Sequence, residues 1–111
     1  MRKAAVLFTV IMFVFVAINV NAEKDLKMRC EVVANIGGEI MIRRQNSVPK
    51  HETKEWIREV FKDSPKEARE YWVSAVDKAY LVDVGYSRSE KKQIIENFKS
   101  GIFKSCMNTL E

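Results

Sequence analysis

The chain has 111 residues, 47% of them hydrophobic and 31% charged, with 19 Lys and Arg against 15 Asp and Glu and a formal net charge of +4. That length holds one small domain, and the charge balance lacks the one-sided basic excess of a nucleic-acid binder. With one histidine and two cysteines, neither a histidine triad with a spare nor a zinc cage of the usual Cys and His sets can be assembled.

The first element is an export leader. Arg2 and Lys3 form a positive head, Ala4 to Val20 is an almost unbroken apolar run, and Val20-Asn21-Ala22 has the residues a signal peptidase accepts. Cleavage after Ala22 leaves residues 23–111 as a single helical domain. The alternative is an uncleaved anchor, although the run falls short of the ~20 residues that usually span a bilayer. No cysteine follows the cut at once, so lipid attachment there is not expected. Arg2 and Lys3 depart with the leader and all 15 acidic residues stay, so the mature charge is 17 minus 15, or +2.

A first helix is predicted from about Lys24 to Gln45. Leu26, Cys30, Val33, Gly37, Ile40, Met41 and Arg44 recur at the three-and-four spacing of one helical face. Gly37-Gly38 in its middle costs about 1 kcal/mol per glycine relative to Ala. Either another backbone packs closely there or the helix kinks. Gly37 lies on the apolar stripe, whereas Gly38 is turned about 100° from it, which makes Gly38 a candidate partner contact on the outer face. Arg43, Arg44 and Gln45 end the helix with cations at its negative pole.

Asn46-Ser47-Val48-Pro49 reads as a turn. A short second helix follows over about Lys50 to Lys62, with Trp56, Ile57, Val60 and Phe61 on one side. Ser64, Pro65 and Glu67 have the spacing of a capping box with proline in the first turn. The third helix then carries Ala68, Tyr71, Trp72, Ala75, Val76, Ala79 and Tyr80 as an amphipathic stripe and is expected to stop at Gly85. A second capping box, Ser87 to Glu90, opens the fourth helix, whose inner face is Ile94, Ile95, Phe98, Ile102, Cys106 and Leu110.

Two cysteines in an exported chain allow one pairing, Cys30 with Cys106. The loop it closes spans 77 residues, for which the chain-entropy estimate is about 4 kcal/mol. Free buried thiols are the alternative, and they need a reducing compartment that the leader argues against. The predicted fold is therefore all-α: a small antiparallel bundle of about four helices, with one disulfide joining the first and last.

The search for chemistry yields little. His51-Glu52-Thr53-Lys54-Glu55 imitates the start of a zinc-protease helix, but Glu55 stands where the second histidine belongs. Glu55 with Glu59 and Glu67 with Glu70 are spaced for a solvated helix face among Lys and Arg. There is no glycine-rich phosphate loop after a strand. The chain is accordingly not expected to be an enzyme, and no catalytic residue, cofactor or metal is assigned. Most of its aromatic residues belong to core stripes. Trp56, on the shortest helix, and Tyr86, in a turn, are expected to be partly exposed. Beside Arg43, Arg44 and Lys91-Lys92 they have the composition of a protein-binding patch.

Cys30, Ala34, Gly37, Ile40-Met41, Arg44-Gln45 and Ser47, with Ala79-Tyr80, Phe98, Ile102-Phe103 and Cys106 later, resemble the pattern of a group of small exported proteins encoded by bacteria and their phages. Members of that group often have alanine where Gly37 stands, and residues 50–64 match no part of the pattern. The resemblance implies a helical, disulfide-linked periplasmic domain and carries over no catalytic residue. It also implies, for a phage product, a modulator of lysis or of a periplasmic enzyme, either an inhibitor or an antiholin-like factor. The expected function is thus an exported binding or regulatory protein that acts by contact with another protein. No nucleic acid is expected, and the membrane is involved only through an uncleaved leader. The alternative is a periplasmic acid or stress chaperone, for which the single histidine offers little titration near neutral pH. Oligomeric state is left open.

Overall fold

A computed structural model describes the backbone of residues 2–109 and the side chains of residues 23–109. The side chains of the expected leader, its cleavage site, and Leu110 lie outside the described residues. Four helices make up the fold: α1 (Arg2–Gln45), α2 (Lys50–Val60), α3 (Lys66–Ala79) and α4 (Arg88–Thr109). Among the described residues there is no strand.

The helix expected from Lys24 begins instead at Arg2. No proline or glycine occurs between residues 2 and 36, so nothing local interrupts it. α1 also passes through Gly37 and Gly38 without a break. It ends in a closed C-terminal motif. Ser47 N–H donates to Arg44 O at 3.0 Å and Val48 N–H to Arg43 O at 2.9 Å, around Ser47 in the left-handed region (φ 60°). This is the pairing that usually places glycine at that position, with proline soon after; here Pro49 follows.

Three boundaries differ from expectation. α2 stops at Val60, because Phe61–Ser64 turns the chain. The capping box at Ser64 does not form: Pro65 is the N-cap without a side-chain bond, and its carbonyl accepts from Ala68 and Arg69 N–H. α3 ends at Ala79 rather than at Gly85, leaving residues 80–87 as a connection. The box at α4 does form, with Glu90 N–H donating to Ser87 Oγ at 3.1 Å. Its return bond runs from Tyr86 N–H to Glu90 Oε2 at 2.7 Å.

The core is off-centre. Ile40 and Met41 of α1, Ile57 of α2, and Trp72, Val76 and Ala79 of α3 form the buried cluster. Phe61 stacks on Trp72 at 5.7 Å, and Tyr71 meets it edge-on at 5.1 Å. α4 contributes no fully buried residue. Its backbone runs against α1 alone, joined by the Cys30–Cys106 disulfide with a Cα–Cα distance of 5.6 Å. The first and last helices are therefore neighbours, as the cysteine spacing requires, and a disulfide of this kind is compatible with an extracellular or periplasmic location. Between α3 and α4 lies a cleft of about 350 Å³, edged by Tyr71, Trp72, Phe98 and Ile102.

Both glycines face α4. A methyl on Gly37 would fall on Cδ1 of Ile102, close to Phe98 Cε1 at 3.6 Å. A methyl on Gly38 would lie 2.7 Å from Cδ and 2.8 Å from Cγ of Lys99. The two neighbours yield differently, because the Lys99 stem is unbranched and flexible, whereas Ile102 is branched and half-buried in the seam. Gly37→Ala is expected to destabilise by about 1–2 kcal/mol, overpacking outweighing the gain in helix propensity. Gly38→Ala should be neutral or stabilising by up to about 1 kcal/mol. Ile102→Val deletes the obstructing carbon, so the double variant with Gly37→Ala should melt above the sum of the two single changes. Strict additivity in thermal melts would place the added methyl elsewhere.

α2 and α3 are tied at their surface by Lys50 and Lys54, whose ammonium groups lie 2.7 and 2.8 Å from Asp77 Oδ1. Hydrogen bonds from Lys50 and then Lys54 hold the Asp77 carboxyl down to about 2. A carboxyl lowered by folding stabilises above its unfolded pKa of about 4 and loses that contribution as pH falls towards its folded value. Acid unfolding of the wild type should therefore steepen between pH 4 and 2, and Asp77→Asn should flatten that part of the curve. Identical curves would show that the pair is too well solvated to matter.

Candidate protein-contact site

The end of the molecule where α1 stops and α4 starts carries the densest set of polar contacts. Gln45 closes α1 and is almost fully buried at 1% exposure. A buried amide needs partners on both its atoms, and the α3–α4 connection supplies them. Nε2 donates to Asp83 O at 3.1 Å, and Oε1 accepts from Gly85 N–H at 2.8 Å. Beside it, Arg44 Nε donates to Val82 O at 2.8 Å, with its guanidinium 5.2 Å from the Tyr80 ring. The last two residues of α1 thus clamp the backbone of residues 82–85.

A second network fixes the neighbouring turn. Tyr80 OH donates to Val48 O at 2.6 Å, and the buried Thr53 hydroxyl lies 2.8 Å from the same phenol. Gly85 is required by crowding rather than by φ: an added Cβ would sit 3.0 Å from Lys91 N and 3.1 Å from Glu90 Cβ. The connection is held at Val82, Asp83, Gly85 and Tyr86, yet it points two large apolar side chains outward. Leu81 is 84% exposed and Tyr86 is 100% exposed.

The candidate residues read from sequence divide among three places. Tyr86 is on the exposed loop, as anticipated. Arg44 is turned inward to hold that loop and is not a free cation. Arg43 lies 4.1 Å over the Trp56 ring, so these two form one half-buried unit across α1 and α2. Gly38 differs from expectation: it is buried against the Lys99 stem on the α1–α4 seam, at the edge of the groove that also includes Ile36. One helical step turns a residue by about 100°, which is not enough to leave a face as broad as the one α4 covers. Leu81 carries no separate signal in the sequence, because a third helix running to Gly85 would make it one more helical apolar residue, whereas α3 ends at Ala79.

His51 is exposed at the start of α2. Among the described residues no three His, Cys, Asp or Glu side chains converge where a metal ion could sit, and within residues 23–109 no helical stretch is long and apolar enough to cross a membrane. No protein-family model, curated protein or solved structure matches the chain. What fold and site define together is a small helical, disulfide-linked domain with a clamped, apolar-tipped loop at one end.

Proposed function

We propose that this is an exported binding protein that acts by contact on another protein, with the Leu81–Tyr86 loop as its contact element. The exposed apolar tip on a clamped backbone carries the reading. A fully exposed tyrosine adds nothing to folding, while a loop already ordered loses less freedom when a partner arrives. Tyrosine is also among the side chains that dominate binding hot spots. An exposed apolar pair on an ordered loop suits insertion into a partner's pocket, which favours a modulator of a periplasmic enzyme, such as an inhibitor, over a passive scaffold. The resemblance to exported phage and bacterial proteins points the same way, towards an effect on lysis or on an enzyme of the envelope. The alternative chaperone reading has a single histidine to work with near neutral pH.

The test is affinity capture from periplasmic extract with the exported protein, followed by the same capture with Tyr86→Ala and Leu81→Ser. One stoichiometric partner should be retained by the wild type and lost by at least about tenfold in the variants, the effect of truncating a hot-spot residue. Since both side chains are exposed, melting temperatures should not change. A partner captured equally well by both variants would remove the loop from the interface.

A further inference from the structure

Along a largely exposed face of α1, flanked at one end by α2 and α4, six residues read Asp25, Arg29, Val32, Ile36, Glu39 and Arg43. Steps of four, three, four, three and four residues keep them on one helical face. The spacing is the same in both directions, and the charges change sign on reversal: negative, positive, two apolar residues, negative, positive. Such a face is complementary to itself when a second helix lies antiparallel.

We propose that this face of α1 pairs with the same face of a second copy of the chain, about a two-fold axis between Val32 and Ile36. Asp25 of one copy then meets Arg43 of the other, Arg29 meets Glu39, and Val32 meets Ile36, each contact made twice as a closed isologous dimer requires. Shape agrees with charge. Near Ile36 and Ile42 the face forms the floor of a groove of about 530 Å³, walled by Trp56 and Val60 of α2 and by Ile95 of α4. Around Asp25 to Val32 the surface is built from α1 residues alone, with Met28 57% and Val32 58% exposed. The unwalled end of one copy enters the groove of the other and receives its counterpart in return. None of the four charged groups has an ion-pair partner among the described residues, and Arg43 Nε is buried without a hydrogen-bond partner. Arg43 rests on the Trp56 ring and still lacks a counter-charge, and an apolar pair between charges without ion-pair partners is what an association surface leaves in the isolated chain.

The inference does not depend on the loop reading. It is tested by sedimentation of the exported, oxidised protein from about 1 to about 200 µM, where a modest interface associates. The mass should double with concentration. Arg29→Glu and Glu39→Arg, each placing like charges together twice, should weaken the dimer at least about tenfold. Combining them restores opposite pairs and should return the affinity to within about threefold of the wild type. Helicity by circular dichroism should not change, because both side chains are exposed. A monomer throughout the range would overturn the proposal, as would a dimer indifferent to the single reversals or a double variant no better than its parents.

Discussion

Replacing Cys30 with serine is expected to lower stability by about 2–5 kcal/mol, the range for a native disulfide in a small exported domain. The chain-entropy share for its loop is about 4 kcal/mol, but the architecture says where the loss will appear. α4 has no fully buried residue and is apposed to α1 alone. Without the disulfide it keeps only half-buried contacts such as Phe98 and Ile102 against Gly37. α2 and α3 retain Ile57, Trp72 and Val76 against Ile40 and Met41. Amide exchange in the variant should therefore accelerate first along residues 94–109 and least around Val76. A wild-type melting curve, or uniform acceleration over all four helices, would contradict this account.

Gln45→Met is expected to cost about 2–4 kcal/mol although it keeps the side chain's length and apolar stem. Gly85 N–H loses its acceptor and Asp83 O its donor, two part-buried bonds worth about 1 kcal/mol each, with the larger cost where water cannot reach the group left behind. The substitution also frees the loop while leaving Leu81 and Tyr86 in place. Partner capture should thus weaken even at temperatures where the variant is fully folded, because ordering the loop then falls to the binding step. Unchanged melting would mean that water replaces both bonds. Lower stability with unchanged capture would mean that the loop needs no preordering.

The helical fold and the pairing of its end helices were legible in the sequence, because periodic apolar stripes and a single pair of cysteines are local and arithmetic signals. The capping box at Ser87 was legible for the same reason, its residues lying three apart. The Ser64 box failed because the proline beside it took the N-cap position, a competition between neighbours that spacing does not rank. The candidate contact site was legible only in part. Tyr86 announced itself by sitting in a turn, whereas Gln45 looked like an ordinary polar residue at a helix end. Its significance comes from Asp83 and Gly85, about 40 residues away, and no periodic pattern reports such a pairing. Gly38 shows the opposite error, a face inferred from rotation alone when the width of the covering helix decides the outcome.

The Cys30–Cys106 linkage makes most of the domain a covalent ring, its two cysteines 76 positions apart. Among proteases this changes what a single cut can do. The exposed turn at Lys62 and Asp63 is the natural place for nicking, yet one nick there leaves a single molecule of unchanged connectivity around the disulfide. Its two pieces separate on a gel only after reduction. A cut after residue 22, where the sequence places the end of a leader, would by contrast fall outside the ring and leave it intact. Such a cut would shorten the oxidised chain, whereas a nick at residue 62 does not, so an oxidised preparation that runs as one species need not have an intact backbone.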